Sequence, residues 1–177
     1  MRHTRILGLA IVAMALVVAT FAVAPARAQE DVTSWNAVLA GKNEVPARAT
    51  LARGVAIFEF DGDESVSYKL IVANIWNVVA SHIHIGPPGA NGPVVQFLFG
   101  PALAGGGRLD GVIATGTFTN ASFVGPLAGH PMSDLLDNMT AGTAYVNVHT
   151  NDGVGDVNTG AGDFPGGEIR GQIKPTD

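Results

Sequence analysis

The stretch Val78–Gly92, VVASHIHIGPPGANG, decides how this chain is read. Residues two apart on a β-strand project from one face, about 7 Å apart along the chain, so His82 and His84 point together while Ile83 and Ile85 point toward a core. Gly86-Pro87-Pro88-Gly89 then closes the strand, because proline cannot donate to a ladder and glycine permits the turn. The rest of the chain is therefore read around a strand that carries two imidazoles on one face.

Working outward, Trp35–Ala40 (WNAVLA) alternates as a first strand and ends at the turn Gly41-Lys42-Asn43. Gly54–Phe60 follows, with Ala56, Phe58 and Phe60 on one face. Asp61-Gly62-Asp63-Glu64 is a hairpin signal leading into Ser65–Ala73. Beyond the histidines, Pro93–Phe99 is apolar enough to predict cover on both faces, and Gly105-Gly106-Gly107 separates it from Val112–Thr119. One short helix is predicted, with Ser133 as N-cap, Asp134 in its first turn, Leu135, Leu136 and Met139 apolar, and Gly142 as its stop. Thr143–Thr150 sets Ala144, Val146 and Val148 against Tyr145, Asn147 and His149, and Glu168–Ile173 sets Ile169 and Ile173 against Glu168, Arg170 and Gln172. About eight short strands with one short helix predict an all-β fold, an antiparallel Greek-key-like β-sandwich or barrel.

The N-terminus has its own reading. Arg2 and Arg5 precede the apolar run Ile6–Ala24, and Ala26-Arg27-Ala28 is a small-residue cleavage site, so residues 1–28 are expected to be a signal peptide. Residues 29–177 are then a single exported domain, secreted or periplasmic. Cleavage removes three arginines and no acid, so the formal net charge of −5 becomes −8. Nucleic acid is disfavoured as a partner, since phosphate binding needs clustered Lys and Arg. No later apolar segment predicts a membrane span, and the absence of cysteine removes disulfides and thiolate metal sites.

Three blocks can now be read together: Glu44-Val45-Pro46; His82-Ile83-His84 with Gly86-Pro87-Pro88-Gly89; and Tyr145-Val146-Asn147-Val148-His149-Thr150 leading to Gly166-Gly167-Glu168-Ile169-Arg170-Gly171-Gln172. In this order they resemble the CHRD domain, named after chordin and found alone in many exported bacterial proteins. The resemblance covers about Ser34–Lys174 and implies an all-β extracellular domain, with no catalytic residues to carry over. The chain departs from the family pattern between His149 and Gly166, where an insertion rich in Asp152, Asp156, Asn158 and Asp163 precedes Phe164-Pro165-Gly166-Gly167.

Two histidines two apart on a strand, joined by His149 from a neighbouring strand, are a candidate site for zinc or copper. Tyr145, Asn147, Glu168 and Arg170 would surround it as orienting groups or as a structural polar network. Two other readings stay open: histidines buried as hydrogen-bonded structural groups, and the ordinary solvated face of an antiparallel sheet. Asp152, Asp156, Asn158 and Asp163 are a candidate calcium loop of oxygen ligands, although turn-forming habits explain them more simply. A copper/zinc superoxide dismutase reading fails on counting, because the mature chain keeps only His82, His84, His130 and His149 and has no disulfide. Ser81 adjoins His82 but faces the other way on a strand, and no nucleophile elbow is present. The expected function is a non-enzymatic binding or structural domain, engaging an extracellular protein or matrix partner and holding a metal ion on one sheet face. The alternative is a copper- or zinc-dependent enzyme on the same histidines, with Glu168 as orienter and Arg170 as anion-positioning group.

Overall fold

The computed structural model describes residues 33–176, and the expected signal peptide lies outside the described residues. Strands β1 (Ser34–Ala40), β2 (Arg53–Phe60), β3 (Ser65–Trp76), β4 (Val78–Ile85), β5 (Val94–Phe99), β6 (Arg108–Thr119), β7 (Ala144–Thr150) and β8 (Ile169–Gln172) form one antiparallel sheet in the order β5-β4-β7-β8-β1-β2-β3-β6. A two-residue β9 (Lys174–Pro175) pairs with β1, and one helix, α1 (Met132–Ala141), precedes β7. The sheet curls into a nearly closed barrel. Its two ends, β5 and β6, meet without a ladder: Tyr68 Oη donates to Leu98 O at 2.7 Å, the Val124 amide to Val95 O at 2.9 Å, and Ser122 Oγ to Gln96 Oε1 at 2.8 Å.

Alternation is what fills the barrel. Trp35, Ala37 and Leu39 from β1, Ala56 and Phe58 from β2, Val66, Leu70 and Val72 from β3, Ile83 from β4, Val146 and Val148 from β7 and Ile169 from β8 are all buried in one cluster. Each occupies every second position of its strand, as a half-buried sheet requires. Helix α1 adds Met132, Leu135 and Met139 to the same core, and Thr140 Oγ1 accepts from the Trp35 indole at 3.1 Å.

Several local expectations change. Strand β3 continues past Ala73 to Trp76 through a register shift between Val72 and Ile75, with Asn74 at φ 55° as the bulge residue. That extension recruits Arg108 and Leu109, so β6 begins four residues before Val112. Strand β5 is not covered on both faces: as a sheet end it leaves Phe97 48% exposed. Helix α1 starts two residues earlier than a Ser133 N-cap would place it. Pro131 holds φ −69° and ψ 160° at the cap position without a side-chain cap, since its ring fixes the entry angle, and Ser133 falls in the first turn. The C-terminal stop is as expected: Gly142 takes φ 69° and, with Thr143, bonds back to Met139 O and Asn138 O.

One buried carboxylate ties the outer loops to this barrel. Glu168, 1% exposed, accepts from Thr50 Oγ1 at 2.6 Å, Thr150 Oγ1 at 2.7 Å and the Gly162 amide at 2.8 Å. It thereby joins the β1–β2 connection and the 151–167 loop to the entry of β8. Glu168→Ala, which strands two buried donors and one half-buried one, is expected to lower unfolding stability by about 3 kcal/mol in urea denaturation. A loss under about 1 kcal/mol would show that the loops are held elsewhere.

Candidate metal centre

Register builds the site. Across β4 and β7, His82 faces Asn147, His84 faces Tyr145 and Ala80 faces His149; across β7 and β8, Asn147 faces Arg170 and Tyr145 faces Gln172. Opposed residues share a face, so the imidazoles, the phenol, the amides and the guanidinium all stand on the side away from Ile83, Val146, Val148 and Ile169.

This outer face is polar but not solvated, which overturns the plain-surface reading. His84 is 7% exposed, Asn147 3%, Tyr145 2% and Arg170 1%. Three segments cover it, two fastened by the face itself and the third by a residue of the β1–β2 connection. The Gly-Pro-Pro-Gly loop is held by Gln172 Nε2 donating to Gly86 O at 2.9 Å, Arg170 Nη2 to Pro87 O at 3.1 Å and Arg170 Nη1 to Asn91 Oδ1 at 3.3 Å. The turn after β1 is held by Asn43 Nδ2 donating to Arg170 O at 3.0 Å. The Phe164–Gly167 segment is held by Arg48 Nε donating to Gly167 O at 3.3 Å, with the Arg48 guanidinium 4.8 Å over the Phe164 ring.

Inside this cover, His82, His84 and His149 bring one ring nitrogen each to within 4.8 Å of one another. Among the described residues no other group of three or more His, Asp or Glu side chains gathers in this way. The tautomers follow from their partners. His84 Nδ1 donates to Gly92 O at 2.9 Å and His149 Nδ1 donates to Pro165 O at 2.7 Å, since a carbonyl can only accept. Each Nε2 is then the lone-pair nitrogen. His149 Nε2 lies 3.1 Å from His82 Nδ1, from which it accepts. His84 Nε2 lies 3.0 Å from the Asn147 amide oxygen, a pairing of two acceptors when the ring is neutral, so the amide must present its NH2 or give way to another lone-pair acceptor such as a cation.

Electrostatics keeps the rings neutral. Burial pushes the His82 pKa down to about 4, helped by the neighbouring His149 and His84. Burial also lowers His84 and His149, against the opposing pull of their bonds to Gly92 and Pro165. Phe97 stands edge-on to His82 at 4.8 Å and forms the outer wall. Tyr145 stacks on His84 with centroids 4.7 Å apart and planes 7° from parallel, and the Arg170 guanidinium lies 3.4 Å over the other face of the Tyr145 ring.

Glu168 and the acidic loop fall outside this cluster. Glu168 spends its oxygens on Thr50, Thr150 and Gly162 rather than on a histidine. Arg170 is turned to Tyr145 and the Gly-Pro-Pro-Gly loop, leaving no exposed guanidinium to position an anion. In the loop, Asp152 accepts from the Val154 amide at 2.9 Å, Asp163 accepts from the Thr159 amide and hydroxyl at 3.0 and 2.8 Å, and Asn158 takes φ 64°; these are turn contacts. Asp156 is exposed and joins none of them in a metal-holding group. His130 pairs with Asp134 at 2.7 Å on the surface.

Sequence reasoning gave Glu44 no chemical part. It is 6% exposed, and its Oε1 has no hydrogen-bond partner. A Cβ at Gly167 would stand 2.5 Å from that oxygen and 3.0 Å from Asn147 Nδ2, at a φ of 121°, so only glycine fits there. Burial raises the Glu44 pKa to about 7, with Arg170 and Arg48 opposing the rise. No spacing rule marks a carboxyl one turn beyond a strand as buried. The one signal was its place in the Glu44-Val45-Pro46 block.

The shift has a signed consequence. Glu44 favours the fold fully below pH 4.5, and that contribution is lost as pH rises toward 7, about 3 kcal/mol in all. The lowered histidines work in the opposite sense, their contribution being lost as pH falls from 6.5 toward 4. The stability of Glu44→Gln relative to the unaltered protein should therefore rise by about 3 kcal/mol between pH 4.5 and 7.5 in paired urea titrations. A difference that stays constant with pH would refute the assignment.

A family model described as CHRD domain matches residues 35–173. No curated protein and no solved structure matches the chain. The matched span begins in β1 and ends just after β8, taking in every strand that builds the covered face. The chain belongs to the CHRD domain family.

Proposed function

We propose that this chain is an exported CHRD domain that binds one copper or zinc ion through His82, His84 and His149 and acts as a binding or structural module. The observation that carries the reading is the convergence of three neutral imidazoles, two with Nδ1 tied to backbone carbonyls and Nε2 left as lone pair. Outer-sphere bonds of that kind fix ring orientation and tautomer in histidine metal sites. The spacing also fits once the His82 proton moves from Nδ1 to Nε2: Zn–N bonds of about 2.0–2.1 Å place two tetrahedral ligands about 3.3 Å apart, and His82 Nδ1 and His149 Nε2 stand at 3.1 Å. A hydrogen bond between two imidazoles accounts for that pair alone. A cation at the centre would take a lone pair from each of the three rings together.

Export is supported by the basic, apolar and small-residue order of residues 1–28. No helix among the described residues is long and apolar enough to cross a membrane. A copper- or zinc-dependent enzyme on the same histidines is the second reading, favoured by the partial exposure of His82 and His149 beside the exposed Phe97 ring.

Metal analysis of the exported protein, purified without affinity tag or chelator, should find one equivalent of copper or zinc. A His82→Ala/His84→Ala variant should lose it, with affinity falling at least 100-fold in chelator competition. Chelation should lower the thermal midpoint of the unaltered protein and leave that of the double variant in place. A protein that is metal-free as isolated and takes up neither ion on titration would remove the metal reading.

A further inference from the structure

The triad offers nitrogen alone to an ion. Among the described residues no carboxylate joins its three ring nitrogens, so a bound dication would keep its full charge inside a covered face. The fixed charge stacked against the site has the same sign. Arg170, 1% exposed, lies 3.4 Å over one face of Tyr145, whose other face stacks on His84 at 4.7 Å. Guanidinium, phenol and imidazole form a column ending on a ligand of the site. Through this column the charge of Arg170 acts on any cation that His84 holds.

The charges that could cancel it are few. Glu168 is committed to Thr50, Thr150 and Gly162. Glu44 is the carboxylate whose field Arg170 feels, and burial keeps it largely protonated below pH 7. Coulomb repulsion scales with the charge of the ion, so a buried guanidinium costs a dication twice what it costs a monocation. Three neutral imidazoles are a sufficient shell for a closed-shell monovalent ion, which needs neither an anionic ligand nor a fixed geometry.

We propose that Arg170, acting through the Tyr145–His84 stack, selects the charge of the bound ion, and that the site holds copper as Cu(I) in preference to Cu(II) or Zn(II). This rests on the reading of the triad as a metal site and deepens it by naming the ion. Arg170 is a positioning and field residue here, and touches no ligand nitrogen.

Affinities for Cu(I), measured anaerobically against a Cu(I)-specific chelator, and for Zn(II) and Cu(II) against divalent chelators, separate the two claims. Relative to the unaltered protein, Arg170→Gln should tighten Zn(II) and Cu(II) relative to Cu(I) by about tenfold, which lowers the midpoint of the one-electron copper couple by about 59 mV. Arg170→Lys, which keeps the charge, should hold the ratio within about twofold. Should Arg170→Gln fail to fold, Glu44→Gln at pH 8 reads the same field from the other side: without the partly offsetting carboxylate, Zn(II) should weaken by about threefold relative to Cu(I). Metal uptake with a ratio that neither charge change moves would overturn the selection and leave the metal site standing. Uptake of no metal would overturn both.

Discussion

The structure depends on one constraint: the outer face of β4, β7 and β8 is polar and also dry. An ordinary antiparallel sheet gives its polar face to water, and water satisfies it. Here Tyr145, Asn147, Arg170 and His84 are each under a tenth exposed, so every donor and acceptor on them must find a protein partner. The partners come largely from the backbone of the covering segments, through the carbonyls of Gly86, Pro87, Gly92 and Pro165, which meet Gln172, Arg170, His84 and His149. Proline and glycine serve this purpose well. Proline brings no amide of its own to satisfy, and glycine, lacking a side chain, lets the loop present its carbonyls at close range.

That exchange explains the composition of the three blocks on which the resemblance rests. Arg170 supplies several donors in a rigid fork and can hold a loop carbonyl, an amide oxygen and a ring face together, which a lysine ammonium cannot. Gln172 offers one amide to the carbonyls of Gly86, Gly142 and Ala144, and so joins the histidine loop to the end of α1. Gly167 is required by space: Glu44 and Asn147 both stand where its side chain would be. The loops close over the strands because the strands carry the groups the loops lack.

Much of this was legible in the sequence, and the physical reason is periodicity. Alternation in GVAIFEF, SHIHI and AYVNVHT fixes which residues point inward, and the opposed faces of β4 and β7 agree residue by residue with that reading. The meeting of His82, His84 and His149 was legible as one outcome of strand pairing, since β4 and β7, distant in the chain, bring the three rings together when they are neighbours in the sheet. What the sequence hid is what lies above the sheet. Alternation cannot tell a polar face that meets water from one that meets a loop, so the burial of Arg170 and the orphaned oxygen of Glu44 were invisible. The same limit misplaced the role of Glu168, which shares the parity of Arg170 but meets Thr50 and Thr150. End effects were lost for a different reason: the length of β3 is set by its bulge at Asn74 and its partner Arg108, a tertiary matter that no local window contains.

The charges of the covered face follow from the same dryness. A dry face does not tolerate several independent charges, and the chain keeps one, on the group least able to lose it, because guanidinium stays protonated where imidazole and carboxyl yield. Burial moves each neighbour toward neutrality: the three histidines lose affinity for protons and Glu44 gains it. The cation that remains is spread over an aromatic ring, which shields it and passes its field to His84. A site assembled this way has lone pairs in surplus and anions in deficit. The residues that close the loops are the ones that set that balance.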